Sequence, residues 1–200
     1  MITNKDKKYI LDLVKKITPD ILKQIGFDST IKEPGHSFHG QFEDELVKRL
    51  IEANSNFSEP TETRSSDDIK YKGNYINIKF GFDKNGNPNI CSMNRLYNYF
   101  LKGIIDSYYI LSVDANGPEY HLFNVYDYLD YTNFNYGTGQ LMLKESDFKE
   151  VYIFNDDTVK LTKAETIVKM ADFMEESYRR HLAKKDKDHM KIMESSNAYR

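Results

Sequence analysis

The stretch SSDDIKYKGNYINIKFG, residues 65–81, alternates apolar and polar side chains on both sides of a glycine-bearing turn. Period-two alternation marks a strand with one buried face, so the stretch predicts a β-hairpin. With Gly73-Asn74 as a two-residue loop, Lys72 pairs with Tyr75, Tyr71 with Ile76, Lys70 with Asn77, Ile69 with Ile78 and Asp68 with Lys79. Ile69, Tyr71, Ile76, Ile78 and Phe80 then form one face, and Asp68, Lys70, Lys72, Tyr75, Asn77 and Lys79 the other. A three-residue loop would set Ile69 opposite Asn77 and break the apolar face, so that register is rejected.

The rest of the chain surrounds this hairpin with helices. Tyr9, Ile10, Leu13, Val14 and Ile17 make a helical stripe. Thr18-Pro19 predicts a cap that restarts a short helix through Ile25, with Gly26 ending it. KEPGHSFHG (32–40) predicts a loop and QFEDELVKRLIEAN (41–54) a second helix. Strand character recurs near 67–72, 75–80, 107–113, 119–125 and 150–154. A helix, SMNRLYNYFLKG, intervenes, with Ser92 as its cap and Gly103 beyond its end. A last helix starts at about 162, where TKAE offers Thr162 and Glu165 as a capping box. The order predicts one α/β domain over residues 1–200.

At 200 residues the chain is long enough for a real core. It has no run of 18 apolar residues and no signal-peptide core, which predicts a cytoplasmic protein without membrane spans. Cys91, the single cysteine, excludes an internal disulfide framework and a cysteine-built zinc site. A net charge of −3 argues against a sequence-blind nucleic-acid binder. The charge is uneven: residues 62–106 hold 7 basic and 5 acidic side chains, whereas residues 107–157 hold 2 and 9.

Lys79 lies on a strand between two apolar residues, a costly position for an ammonium without a partner. Spacing alone offers a cross-strand ion pair with Asp68, worth about 0.5 kcal/mol. A third group changes that balance. On the helix 41–54, Phe42, Leu46 and Leu50 form one apolar row and Val47 and Ile51 another. Glu43 sits one turn before Leu46 and Val47 and projects to the same buried side. Its neighbours Asp44 and Glu45 lie one turn from Lys48 and Arg49, the usual solvent-side pairs. A helix carboxylate, a strand aspartate and Asn77-x-Lys79 on the next strand make the layout of a divalent-metal phosphodiesterase site. Mg²⁺ takes hard oxygen ligands, typically one or two carboxylates with waters and substrate phosphate.

At these residues the chain resembles the PD-(D/E)XK nuclease superfamily and, within it, the type II restriction endonucleases. SDDI matches the PD element through Asp68, INIK the second element through Asn77 and Lys79, and GQFEDEL the leading helix through Glu43. The resemblance spans about residues 36–113. Ser66 stands where the motif has proline, and Asn77 stands where it has an acid, so the site has one fewer charge. The resemblance implies a restriction-endonuclease-like core: a central mixed β-sheet flanked by helices, in the order αβββαβ with C-terminal additions. It implies a Mg²⁺-dependent, sequence-specific endonuclease of double-stranded DNA acting as a homodimer, with Mn²⁺ able to substitute. Glu43, Asp68, Asn77 and Lys79 would be catalytic. Asp68, the Ile78 backbone carbonyl and Glu43, directly or through water, would hold the metal. Two alternatives stay open: a structure-selective repair or junction-resolving nuclease, and an acidic, non-enzymatic interaction protein on a degenerate nuclease fold.

DNA contacts are expected from Lys70 and from the amide-rich stretch FDKNGNPNICSMNR (82–95), through Lys84, Asn87, Asn89, Ser92, Asn94 and Arg95. Amides match adenine edges and Arg matches guanine, although a plain turn-rich connection has the same composition. His36 and His39, at the entrance to the Glu43 helix, offer phosphate contacts or ordinary capping. DYTNFNYGTG (130–139) is a second amide-rich loop with the same two readings.

Overall fold

The structure is a computed structural model that describes residues 1–27, 36–60, 68–80, 89–103, 108–113, 119–135, 139–143 and 162–197. It is a mixed α/β protein built on a five-stranded mixed sheet. The elements that position the site are α1 (Asn4–Gln24), α2 (His36–Ala53), β1 (Phe57–Ser58), β2 (Ile69–Tyr71), β3 (Asn74–Phe80), β4 (Asn89–Ser92), α3 (Met93–Leu101), β5 (Tyr108–Val113) and β6 (Tyr120–Asn124). A 3-10 segment (Val125–Tyr131), β7 (Thr132–Asn135), β8 (Gln140–Leu143) and a long α4 (Lys163–Asn197) follow. The main sheet has the order β1-β2-β3-β5-β6, and a smaller one the order β4-β8-β7. Only β3 and β5 run parallel in the main sheet, the other pairs being antiparallel. Among the described residues no helix is long and apolar enough to cross a membrane.

Both faces of the main sheet are covered. Ile10, Val14 and Ile21 of α1 and Phe42, Leu46 and Leu50 of α2 pack on Ile69, Tyr71, Ile76, Ile78, Phe80, Leu111 and Leu122. The opposite face, with Tyr108, Ile110 and Phe123, meets Cys91, Leu96, Leu141, Met170 and the 3-10 segment. Ion pairs and caps fasten the periphery. Thr3 and Asp6 form a capping box on α1, and Asp6 also accepts hydrogen bonds from Lys72 Nζ at 2.8 Å and Tyr71 Oη at 3.1 Å. Thr162 and Glu165 form the expected box on α4.

Four sequence expectations are corrected. The first helix does not restart at Thr18-Pro19 but runs through Pro19 to Gln24. Thr18 is buried and donates its hydroxyl to the Val14 carbonyl instead of capping; packing of Ile21 on the sheet outweighs the missing proline N–H. Residues 36–40 are helix, not loop, because Phe38 extends the Phe42, Leu46, Leu50 row by one turn. In the amide-rich stretches, 89–92 and 132–135 are strands of the small sheet. The fourth correction is the hairpin register. Lys72 and Gly73, at φ 48° and 78°, form its two-residue turn, and Ile69 pairs with Ile76, Lys70 with Tyr75 and Tyr71 with Asn74. Positive φ at both positions suits the strand twist, and the buried Asn74 locks the turn by donating Nδ2 to the Tyr71 and Lys72 carbonyls. The apolar and polar faces are those expected, but every cross-strand partner moves by two residues. The strand expected at 150–154 lies outside the described residues.

Candidate active site

Continuing the observed ladder one step sets Asp68 opposite Asn77, not Lys79. The Asp68 backbone N–H still donates to the Ile76 carbonyl at 3.0 Å. β2 begins only at Ile69, and among the described residues side chains meet the edge of β3 beyond that point. Ile78 N–H donates to Asp68 Oδ2 at 2.5 Å. Phe80 N–H donates to the Glu43 carboxylate. A strand residue's N–H and C=O project to the same side, so the Ile78 carbonyl points to this edge between the two donated N–H groups.

Packing brings Glu43 here. Phe42 stacks on Phe80 with ring centres 4.0 Å apart and planes at 16°, which seats α2 against the end of β3. His39, one turn earlier, meets the same Phe80 ring edge-to-face at 5.8 Å. Glu43, next to Phe42, is thereby delivered to the strand's end. Its neighbours behave as expected: Glu45 pairs with Arg49 at 3.0 Å, and Asp44 is exposed.

The electrostatics follow from burying two like charges beside one cation. Desolvation raises the Glu43 carboxyl to about 7, the Asp68 charge adding to the rise while Lys79 and the Phe80 N–H oppose it. Desolvation also raises Asp68, against the Ile78 N–H and Lys79. Lys79 is half-buried on the same sheet face as Asn77, within electrostatic reach of both carboxylates. Asn77 is buried, at 7% exposure, on the Asp68 side of that face. Glu43, Asp68, Asn77, Ile78 and Lys79 therefore do come together. Their oxygen atoms comprise two carboxylates, an amide and a backbone carbonyl. When both carboxylates are ionised, two negative charges face one positive, and this hard-oxygen set suits Mg²⁺. Among the described residues no three His, Cys, Asp or Glu side chains cluster as a metal site. Any metal here relies on the amide, the carbonyl and water beyond its two carboxylates.

The residues expected to touch DNA are scattered more widely. Lys70 stands two positions from Asp68 on the same face, its Nζ 4.7 Å from the centre of the Tyr75 ring. Ser92 ends β4, half-buried, and Arg95 is exposed in the first turn of α3. Arg95 and Lys79 both act electrostatically on the buried Cys91 thiol, which desolvation pushes up to about 12. This places the start of α3 near the Lys79 end of β3. Asn89 lies on β4, Asn94 on α3 and His36 at the first position of α2. Lys84 and Asn87 lie outside the described residues. Sequence reasoning missed Ser112 and His121, which register places in line with Lys79. Their only signal was a polar residue beside apolar neighbours on β5 and β6. Comparison of the sequence with protein-family models and with curated proteins returned no match.

Proposed function

We propose that the chain is a Mg²⁺-dependent endonuclease of the PD-(D/E)XK type, cutting double-stranded DNA at specific sites as a homodimer. One observation carries this reading: the Asp68 and Glu43 carboxylates hold the edge of β3 on either side of the Ile78 carbonyl, with Lys79 beside them. The mixed sheet adds support: α2 precedes β1, β2 and β3, and β5 runs parallel to β3 after α3.

Asp68, the Ile78 carbonyl and Glu43 would hold the metal, Glu43 directly or through water. Bound there, it supplies charge neutralisation at a phosphate and a water of lowered pKa. The hydrogen bonds from Ile78 N–H and Phe80 N–H fix both carboxylates before any ligand arrives, so little reorganisation is needed. Lys79 orients the attacking water or neutralises a phosphate oxygen. Asn77 provides a neutral oxygen where an acid would add charge, which weakens the hold on the metal. Two-fold pairing of such sites would cut both strands of a palindromic sequence.

Digestion of unmethylated plasmid with Mg²⁺ tests the reading. Discrete fragments that vanish in EDTA and with Lys79→Ala support a site-specific enzyme. Cleavage of junctions or flaps alone points to a structure-selective nuclease. Intact DNA of every form, with Mg²⁺ or Mn²⁺, refutes the nuclease and leaves a non-enzymatic role.

A further inference from the structure

Strands β3 and β5 are parallel, and their carboxyl ends lie together. There Lys79 pairs with Ser112, and Ser112 with His121 of β6. Paired positions share a sheet face, so the three side chains form a row across β3, β5 and β6. It is the face of Tyr108, Ile110 and Phe123, where Ser112 and His121 are the polar exceptions on their strands. Lys79 and Ser112 lie in the last pleat of β3 and β5, toward the carboxyl ends where ligands of open α/β sheets gather.

Ser112 is 1% exposed, and its Oγ has no hydrogen-bond partner among the described residues. Burying a hydroxyl unpaired is unfavourable, and a ligand oxygen meeting it would remove the penalty. His121 is 9% exposed, with Nε2 3.8 Å from Glu119 Oε2. An ammonium, a hydroxyl and an imidazole in line present donors to a ligand that accepts. Phosphate is such a ligand. Two strand spacings give the row a span of about 10 Å, longer than a single phosphate group.

We propose that Ser112 and His121 form a phosphate-binding subsite beside the carboxylate pair, taking the backbone phosphate next to the one that Lys79 faces. The subsite rests on the nuclease reading for the identity of its ligand. It extends the site along the substrate strand, away from Asp68 and Glu43. Ser112 and His121 are thus positioning residues that hold the strand in register and take no part in the bond-breaking step.

The probe is thymidine 3′,5′-bisphosphate, added to the whole protein in EDTA and followed by the His121 imidazole NMR signals. Binding should shift them, and Ser112→Ala should weaken the binding about tenfold, as loss of one hydrogen bond to a charged group does. The same variant should melt at or above the wild-type temperature, because it deletes a buried, unpaired hydroxyl. In plasmid cleavage Ser112→Ala and His121→Gln should raise KM with little change in kcat. Ser112→Ala that melts lower and leaves bisphosphate affinity and KM unchanged makes the hydroxyl structural and overturns the subsite. Uncut plasmid with a bisphosphate-induced shift that Ser112→Ala weakens retains the subsite and removes the nuclease. Normal cleavage, with KM unchanged in both variants, does the reverse.

Discussion

Glu43→Gln separates what the candidate site costs from what it does. The Glu43 carboxyl is raised from its ordinary 4.5 to about 7, chiefly by desolvation. With the folded pKa above the unfolded one, the native protein binds this proton more tightly than the unfolded chain. The associated stability is complete below 4.5, declines as pH rises through about 7, and is absent above it. At 1.36 kcal/mol per pH unit, the decline amounts to about 3 kcal/mol. Gln keeps the shape and an oxygen to accept the Phe80 N–H, but carries no charge to desolvate. In EDTA, Glu43→Gln should match the wild type near pH 4 and exceed it at pH 8 by about 1–3 kcal/mol. Urea unfolding at pH 4, 5, 6, 7 and 8 measures the gap. Mg²⁺ at pH 8 should then stabilise the wild type more than the variant, since only metal that favours the native state adds stability. A variant less stable than wild type at pH 8, with the same pH slope, would refute the burial of this carboxylate beside Asp68.

Asp68→Ala leaves the buried Ile78 N–H without its acceptor and should cost about 1–3 kcal/mol, whereas Asp68→Asn keeps an acceptor and should unfold within about 1 kcal/mol of wild type; both should lose cleavage, as denaturant melts and a plasmid digest will show. Asn77→Asp adds a charge opposite Asp68 and should lower the Mg²⁺ concentration needed for half-maximal cleavage from the millimolar range, roughly the weak end of biological sites; a metal titration unchanged by the substitution would place Asn77 outside the site. Asp6→Ala removes the Asp6 half of the α1 capping box and the bonds to Lys72 and Tyr71, at about 2 kcal/mol. Lys72 holds the Asp6 carboxyl below the usual carboxylate range, so that stabilisation is present above the ordinary pKa and is lost as pH falls through the depressed one. Cleavage should be untouched, since Asp6 meets the turn of the hairpin, at the opposite end of β3 from Lys79.

Much of the site was legible because its signals are local. Glu43 stood out against Asp44 and Glu45 by helical phase alone, and of the three it is the one whose carboxyl desolvation raises. The turn of the hairpin was misplaced because Lys72-Gly73 and Gly73-Asn74 are both plausible two-residue loops. Only the burial of Asn74, and its bonds back to Tyr71 and Lys72, select the first. Ser112 and His121 could not be joined to Lys79 from sequence, because 33 and 42 positions of chain separate them from it. The diversion of β4 into a second sheet likewise depends on β8, 48 residues downstream of Ser92 at its own Gln140.

The sequence by itself determined which side chains share a face. Strand parity has period two, so a register slip of two residues changes every partner and no face. Ile69, Tyr71, Ile76, Ile78 and Phe80 were therefore assigned to the core correctly, and Asp68, Asn77 and Lys79 to the other side, before any partner was known. Tertiary structure alone decided who meets whom. Asp68 takes the Ile78 N–H instead of pairing across to Lys79, and α2 sets Glu43 on the Phe80 N–H, because β2 starts only at Ile69 and the N–H groups at this edge of β3 need acceptors. A backbone group at the rim of a sheet has a fixed demand for a partner. The choice of partner depends on chain ends, stacking rings and helix placement that no local pattern encodes.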